Sequence, residues 1–228
     1  MDPAPSPERL AWSAWLPVLA TALFYALPAD LQGSLAMQFL PQAVAYAALA
    51  WWASRNSDIT ARFGLRRGQL GQGLRWGAAT GLILGAVNVG IILWLVPWLG
   101  YDIAFLRGTP HAQLPPAVML PWSILLIAVF VEVNFRGFLL GRLLALAERM
   151  VPAPPPPLAV ALAIGVSALA FSFDPFMVIT FRHLHWVAVW DGLVWGLLWV
   201  WLRNLYVPII AHAVEVMVMY SIIRTVLL

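Results

Sequence analysis

The sequence predicts an all-α polytopic membrane protein, a bundle of about seven transmembrane helices forming a single domain over residues 1–228. Two observations predict this class. Hydrophobic residues make up 62% of the chain and charged residues only 10%, whereas soluble domains average about 45–50% and about 25%. The hydrophobic residues also fall into runs of about 20, the length that a helix needs to cross a bilayer.

Seven apolar runs are the predicted spans. The second is followed by a polar, arginine-rich segment, residues 54–75, predicted to be a cytoplasmic loop. The third carries Gly77, Gly81 and Gly85, four residues apart, and such a ridge of small residues lets two helices approach closely in lipid. The fifth run is short, and residues 176–185 after it fit either a re-entrant piece or the start of the sixth span. The runs cover residues 10–27, 35–53, 76–99, 121–146, 158–173, 186–202 and 207–228.

The arginines predict how the chain is oriented. All 13 Lys and Arg residues are arginine, and cytoplasmic loops of membrane proteins carry an excess of basic residues. With the 54–75 loop and the N-terminus in the cytoplasm, nine arginines lie on that side and three on the other. This pattern indicates membrane orientation, with lipid and not nucleic acid as the partner. The composition favours the bacterial cytoplasmic membrane. The nine are Arg9, Arg55, Arg62, Arg66, Arg67, Arg75, Arg142, Arg149 and Arg203; the three are Arg107, Arg182 and Arg224.

The tryptophan positions and the absence of cysteine limit the kinds of ligand and metal site that the chain can form. Most of the 13 tryptophans lie near predicted span ends, where aromatic side chains sit at the membrane interface; binding of a lipid or pigment is the alternative. Without cysteine there is no disulfide, thiolate nucleophile or Cys metal site. An HExxH motif is also absent, so we predict no metal and no cofactor. The tryptophans near span ends are Trp12, Trp15, Trp51, Trp52, Trp94, Trp98 and Trp122.

The fourth run contains polar side chains, Glu132, Asn134 and Arg136, where hydrocarbon is expected. A charged residue at the centre of a membrane helix costs roughly 2.5–3.5 kcal/mol on insertion scales, so it needs a partner. Glu132 and Arg136 are four residues apart and share a helix face, so they can pair with each other. That pairing is a structural explanation, and a functional site is the alternative.

The last run contains His212 and Glu215, which are three residues apart and also share a face. If the fourth and last spans pack together, two carboxylates, one imidazole and one guanidinium converge. Such a cluster could activate water, carry protons or bind a ligand. The candidate catalytic residues are therefore Glu132, Arg136, His212 and Glu215; the His212 ring lacks a carboxylate to orient it unless Glu215, one turn away, takes that role. A polar network that only joins helices is the alternative.

Four other polar residues are interpreted as structural. Asn88 in the third span and Asp191 in the sixth are assigned to helix packing. His183 and His185 lie beside an arginine at a predicted membrane surface and are assigned to the interface.

Several motifs over residues 60 to 220 match a known pattern. Glu132-x3-Arg136 followed by glycine is similar to a Glu-Glu-x3-Arg-Gly motif, and His212 ends a stretch similar to the approach to a His-x3-Asn motif. In this order they resemble the CAAX-protease and bacteriocin-processing family of intramembrane proteases. The resemblance implies a helical bundle with its motif-bearing core over 121–228, and it implies endopeptidase activity.

Three positions depart from the family pattern. In such proteases the first Glu of the pair and a second-motif His activate the attacking water, and the third-motif His and Asn support the oxyanion. Here Val131, Pro175 and Val216 occupy the positions of that Glu, that second His and that Asn. His185 also fits the letters of the second motif but lies too close to the following span. Glu132 points about 100° away from Val131 around the helix.

These departures predict a degenerate family member. Loss of a general base alone costs about 10²–10⁴ in rate. We therefore expect a non-catalytic subunit that binds or assembles another integral membrane protein. An active endopeptidase with displaced catalytic residues is the first alternative, and a lipid- or pigment-binding membrane protein is the second.

Overall fold

The computed structural model describes residues 8–150 and 155–227, and these residues form a helical bundle without strands. Each of the seven predicted spans coincides with a helix, and an eighth, short helix follows the fifth span. The main helices are α1 (Trp15–Tyr25), α2 (Leu35–Ser54), α3 (Leu70–Gly90), α4 (Pro116–Met150), α5 (Pro157–Ser172), α6 (Pro175–Phe181), α7 (Val187–Leu202) and α8 (Tyr206–Leu227). The all-α membrane fold is thereby confirmed.

The helices differ in their ability to cross a membrane. Within the described ranges, Ile59–Trp98, Pro116–Met150 and Tyr206–Leu227 are long and apolar enough to span. Helices α5 and α6 bend by 54° and count as a fourth span if they form one broken crossing, whereas α1 and α7 are shorter. The apolar runs therefore predicted the positions of the helices correctly. They were a poorer guide to the number of helices that are long enough to cross a membrane individually. Residues 176–185 belong to the bent piece and not to the start of α7.

Helices α3 and α8 make the most extensive contact of the bundle. Gly77, Gly81 and Gly85 are all buried against α8. A Cβ atom on Gly81 would lie 2.5 Å from the carbonyl oxygen of Ala211, so a larger residue would not fit there. The predicted glycine ridge is confirmed, and its partner is the last span.

The tryptophans follow the interface prediction with one exception. Trp52 is fully buried, so its assignment to the interface was wrong. Its indole Nε1 donates a hydrogen bond to the Glu8 carboxylate at 2.8 Å, and the Arg142 guanidinium lies 4.1 Å from its ring centroid. Of the tryptophans assigned to the interface, six remain exposed: Trp12, Trp15, Trp51, Trp94, Trp98 and Trp122.

Arginines gather at both ends of the bundle. At one end, Glu8 forms ion pairs with Arg142 and Arg62. At the other, Arg182 and Arg224 contact the loop between α3 and α4. Helix α8 connects the two ends, and its 22 residues span about 33 Å. This length matches the hydrocarbon core of a bilayer, about 30 Å thick.

We propose that the end carrying Glu8 and the 54–75 segment faces the cytoplasm. Gly68 and Gly108 are exposed at the two ends, and a Cβ atom at either would meet open space. Because the chain has no native cysteine, a membrane-impermeant maleimide applied to intact cells should label Gly108→Cys. It should reach Gly68→Cys only after lysis. The reverse labelling pattern would overturn this orientation.

Candidate active site

The predicted Glu132–Arg136 pair forms on α4, where the helix widens to a π-helical stretch over Val133–Leu140. Arg136 Nη1 lies 3.2 Å from Glu132 Oε1, and both side chains are fully buried. The guanidinium also lies over two aromatic rings, 4.9 Å from the centroid of Phe171 and 5.1 Å from that of Trp195. A desolvated charge in hydrocarbon thus has both an anion and π-electron faces as partners.

His212 of α8 reaches the same carboxylate. Its Nδ1 lies 2.9 Å from Glu132 Oε1, and its ring stacks on Trp195 with centroids 4.5 Å apart. The fourth and last spans therefore pack together as predicted. Because a carboxylate only accepts, Nδ1 carries the proton in this bond.

Glu215 does not take the predicted role. Its Oε1 accepts a hydrogen bond from Asn88 Nδ2 at 2.7 Å, while the carboxylate that orients His212 is Glu132. Asn88 Nδ2 also lies 3.1 and 3.2 Å from the two carboxylate oxygens of Asp191. Asn88 and Asp191, interpreted as packing residues, therefore join the candidate cluster directly. Asn88 is 127 residues from Glu215 and 103 residues from Asp191 in the sequence. Contacts between residues so far apart leave no pattern in the local sequence.

A cavity of about 600 Å³ opens beside this cluster. Its wall is mainly apolar and aromatic, but His212, Glu215 and Asp191 also line it. Val131 lines the cavity as well, whereas Glu132 is fully buried and is not among the lining residues. The two neighbouring positions on α4 therefore separate, one facing the cavity and the other facing the helix contact.

Asp174 is a cavity-lining acid that the sequence analysis did not single out. It caps α6: its Oδ1 accepts hydrogen bonds from the Phe176 backbone N–H at 3.0 Å and from Gln42 Nε2 at 2.9 Å. At the loop end, Arg107 and His111 line the same cavity. Burial lowers the pKa of His111, so this imidazole stays neutral at physiological pH.

The three positions that depart from the family pattern have distinct surroundings. Val131 and Val216 both line the cavity, so two motif positions that face this space hold aliphatic side chains. Pro175 is buried in the first turn of α6. His185 does not line the cavity; its Nδ1 lies 2.6 Å from the backbone oxygen of Arg182.

The remaining candidates lie apart from the cavity or lack metal-binding geometry. His183 does not line the cavity and instead stacks on Tyr101, with centroids 5.0 Å apart. Asn134 is buried, and its Oδ1 accepts no hydrogen bond from the described residues. Within residues 8–150 and 155–227, no group of three or more His, Asp and Glu side chains is arranged to hold a metal ion.

Comparison with known proteins places this site in a family context. Residues 113–218, which run from the start of α4 into α8, match a family model described as Rce1-like, type II CAAX prenyl endopeptidase. No curated protein and no solved structure matches the chain. The matched segment contains Glu132, Arg136, Asp191, His212 and Glu215.

Proposed function

We propose that the chain, whose residues 113–218 match the Rce1-like family model of type II CAAX prenyl endopeptidases, is a non-catalytic member of that family. In this proposal it binds or assembles another integral membrane protein, and an apolar stretch of that partner enters the cavity. We further propose that it acts in the bacterial cytoplasmic membrane with its N-terminus in the cytoplasm.

One observation carries this proposal: the cavity position expected to hold the water-activating glutamate is Val131. A general base must lie within hydrogen-bond reach of the water that it deprotonates, and valine accepts no proton. The neighbouring carboxylate, Glu132, is fully buried and bonded to Arg136 and His212. A carboxylate held between a guanidinium and an imidazole is poorly placed to take a proton from cavity water.

The apolar lining supports the binding role. Substitution of catalytic polar residues by valine at 131 and 216 lowers the polarity of the wall without closing the cavity. Pockets of about 300–1,000 Å³ with few polar groups are typical of ligand sites. A cavity that keeps its volume but lacks the base is suited to holding an apolar segment and not to hydrolysing it.

A second candidate function, an active endopeptidase with displaced residues, is favoured by one specific contact. His212 lines the cavity while its Nδ1 is held by Glu132 at 2.9 Å. A carboxylate that orients an imidazole in this way leaves Nε2 available as a general base. In that case Glu132 positions His212, which would deprotonate the water.

Peptide cleavage by the purified full-length chain tests both functions. We expect no cleavage of prenylated or transmembrane peptides by the wild type, because loss of the water-activating base alone lowers the rate by about 10²–10⁴. Products are measured by mass spectrometry over hours. A stoichiometric membrane protein that copurifies in mild detergent supports the binding role. Wild-type cleavage that both Glu132→Gln and His212→Ala abolish would contradict it and establish the displaced-residue protease.

A further inference from the structure

Three buried carboxyl groups lie beside the cavity. Glu132, Asp191 and Glu215 lie within electrostatic range of a single guanidinium, that of Arg136. Arg136 hydrogen-bonds to Glu132. Three carboxylates therefore share one permanent cation, and buried carboxylates require a paired charge or a proton.

Asp191 and Glu215 are the two carboxylates that also line the cavity. Both are buried, at 4% and 1% exposure, and the Asn88 amide donates to both. Oε2 of Glu215 accepts no hydrogen bond from the described residues. Two carboxyl groups that are almost completely buried, line a cavity and share one amide donor form a place where a positively charged group of a ligand can pair.

The cations nearer the loop end do not fill this place. Arg224 also lines the cavity, but nine residues along α8 separate it from Glu215, about 14 Å at the helical rise. Its Nη1 donates to the backbone oxygen of Ala112 at 2.9 Å. Arg136 lies within electrostatic range of the acidic pair, but it is fully buried, is bonded to Glu132 and does not line the cavity.

The remaining wall favours an apolar body with a positive charge. Phe135, Phe171 and Trp195 line the cavity near the acidic pair. Aromatic faces stabilise ammonium and guanidinium groups, most strongly when water is excluded. A cationic group would pair with Asp191 and Glu215 in place of the proton that these two carboxyl groups otherwise share.

From this arrangement we propose that the occupant of the cavity carries an ammonium or guanidinium group that pairs with Asp191 and Glu215. This inference rests on the proposed function in treating the cavity as a binding site, and it adds the chemistry of the occupant. A lysine or arginine within an otherwise apolar segment of the partner protein supplies this group. A small amphiphilic amine has the same chemistry.

The charge preference can be measured with two probes of the same shape and opposite charge, tetraphenylphosphonium and tetraphenylborate. We expect the full-length chain in a neutral detergent to bind tetraphenylphosphonium saturably in calorimetry, and tetraphenylborate only by unsaturable partitioning. Glu215→Gln should weaken tetraphenylphosphonium binding by at least about tenfold, because it removes one partner of a buried charge pair. Glu148→Gln is the matched control: it is the same change at an exposed acid that does not line the cavity. We expect it to change affinity by no more than about twofold.

Two results would overturn the inference. One is tetraphenylborate binding as tightly as tetraphenylphosphonium; the other is Glu215→Gln binding like the wild type, which would mean that a shared proton neutralises the pair. If Glu215→Gln does not fold, Asp191→Asn replaces it, and the comparison of the two probes on the wild type still decides. Peptide cleavage would contradict the proposed function while leaving the charge preference in place.

Competition identifies the source of the cation. An apolar helical peptide with one central lysine should displace tetraphenylphosphonium, and the same peptide with glutamine should not. Displacement by dodecylamine but not by the lysine peptide would assign the site to a small amine instead of a partner segment.

Discussion

Replacing Arg136 with glutamine is expected to destabilise the protein by about 3–5 kcal/mol, the usual cost of breaking a buried ion pair from one side. The double variant Glu132→Gln with Arg136→Gln should be less damaged. In the wild type the two side chains are fully buried and joined at 3.2 Å. The single change leaves Glu132 with only His212 as a partner, whereas the double change removes both charges together and keeps an acceptor for the imidazole.

Thermal unfolding of the purified variants in one detergent measures this difference. Arg66→Gln serves as the control because Arg66 is exposed, and surface changes usually stay within about 0.5 kcal/mol. Equal losses in the single and double variants would show that Glu132 and Arg136 contribute independently. If Arg136→Gln loses less stability than the double variant, the buried Arg136 side chain destabilises the fold and does not stabilise it.

Features that depend on one helix or on adjacent turns could be predicted from the sequence. The i, i+4 spacing of Glu132 and Arg136 predicted their ion pair, and the four-residue spacing of the α3 glycines predicted a close helix contact. Both signals are local, because residues three or four apart share a helix face whatever the rest of the fold does. Apolar runs located the helices for the same reason.

Features that depend on how helices are rotated against one another could not be predicted. The carboxylate that orients His212 is Glu132, 80 residues away, and not Glu215 on the same helix. Asn88 meets Asp191 and Glu215 only because the glycine ridge brings α3 against α8. Burial of Trp52 likewise follows from its contacts with Glu8 and Arg142, which no periodicity encodes.

Two of the positions that depart from the family motifs lie in the wall of the cavity. Val131 and Val216 face the same space in which His212 and Asp191 are found. Aliphatic and acidic side chains therefore line the same cavity, and Val216 follows Glu215 directly on α8. Under the proposed function this cavity binds its occupant without hydrolysing it, and the acidic groups link that proposal to the inferred cation.

Gly81→Leu is expected to separate α3 from α8 and to remove cation binding along with stability. A Cβ at this position would lie 2.5 Å from the Ala211 carbonyl oxygen and 2.8 Å from the Val214 Cβ, so a leucine requires backbone displacement. Overpacking of this kind costs about 1–3 kcal/mol, occasionally more. Asn88 lies seven residues further along α3, about two turns, and would withdraw from Glu215.

Gly71→Leu is the matched control on the same helix, because a Cβ there meets nothing within 4 Å. We expect Gly71→Leu to have the unfolding temperature and the tetraphenylphosphonium affinity of the wild type. We expect Gly81→Leu to unfold at a lower temperature and to bind the probe weakly. If Gly81→Leu matches Gly71→Leu in both measurements, α3 and α8 are not in contact along the glycine ridge. If Gly81→Leu is less stable but still binds the probe, Asp191 and Glu215 do not depend on Asn88 for their position. Cation binding would then persist without the Asn88 amide that joins the two carboxyl groups.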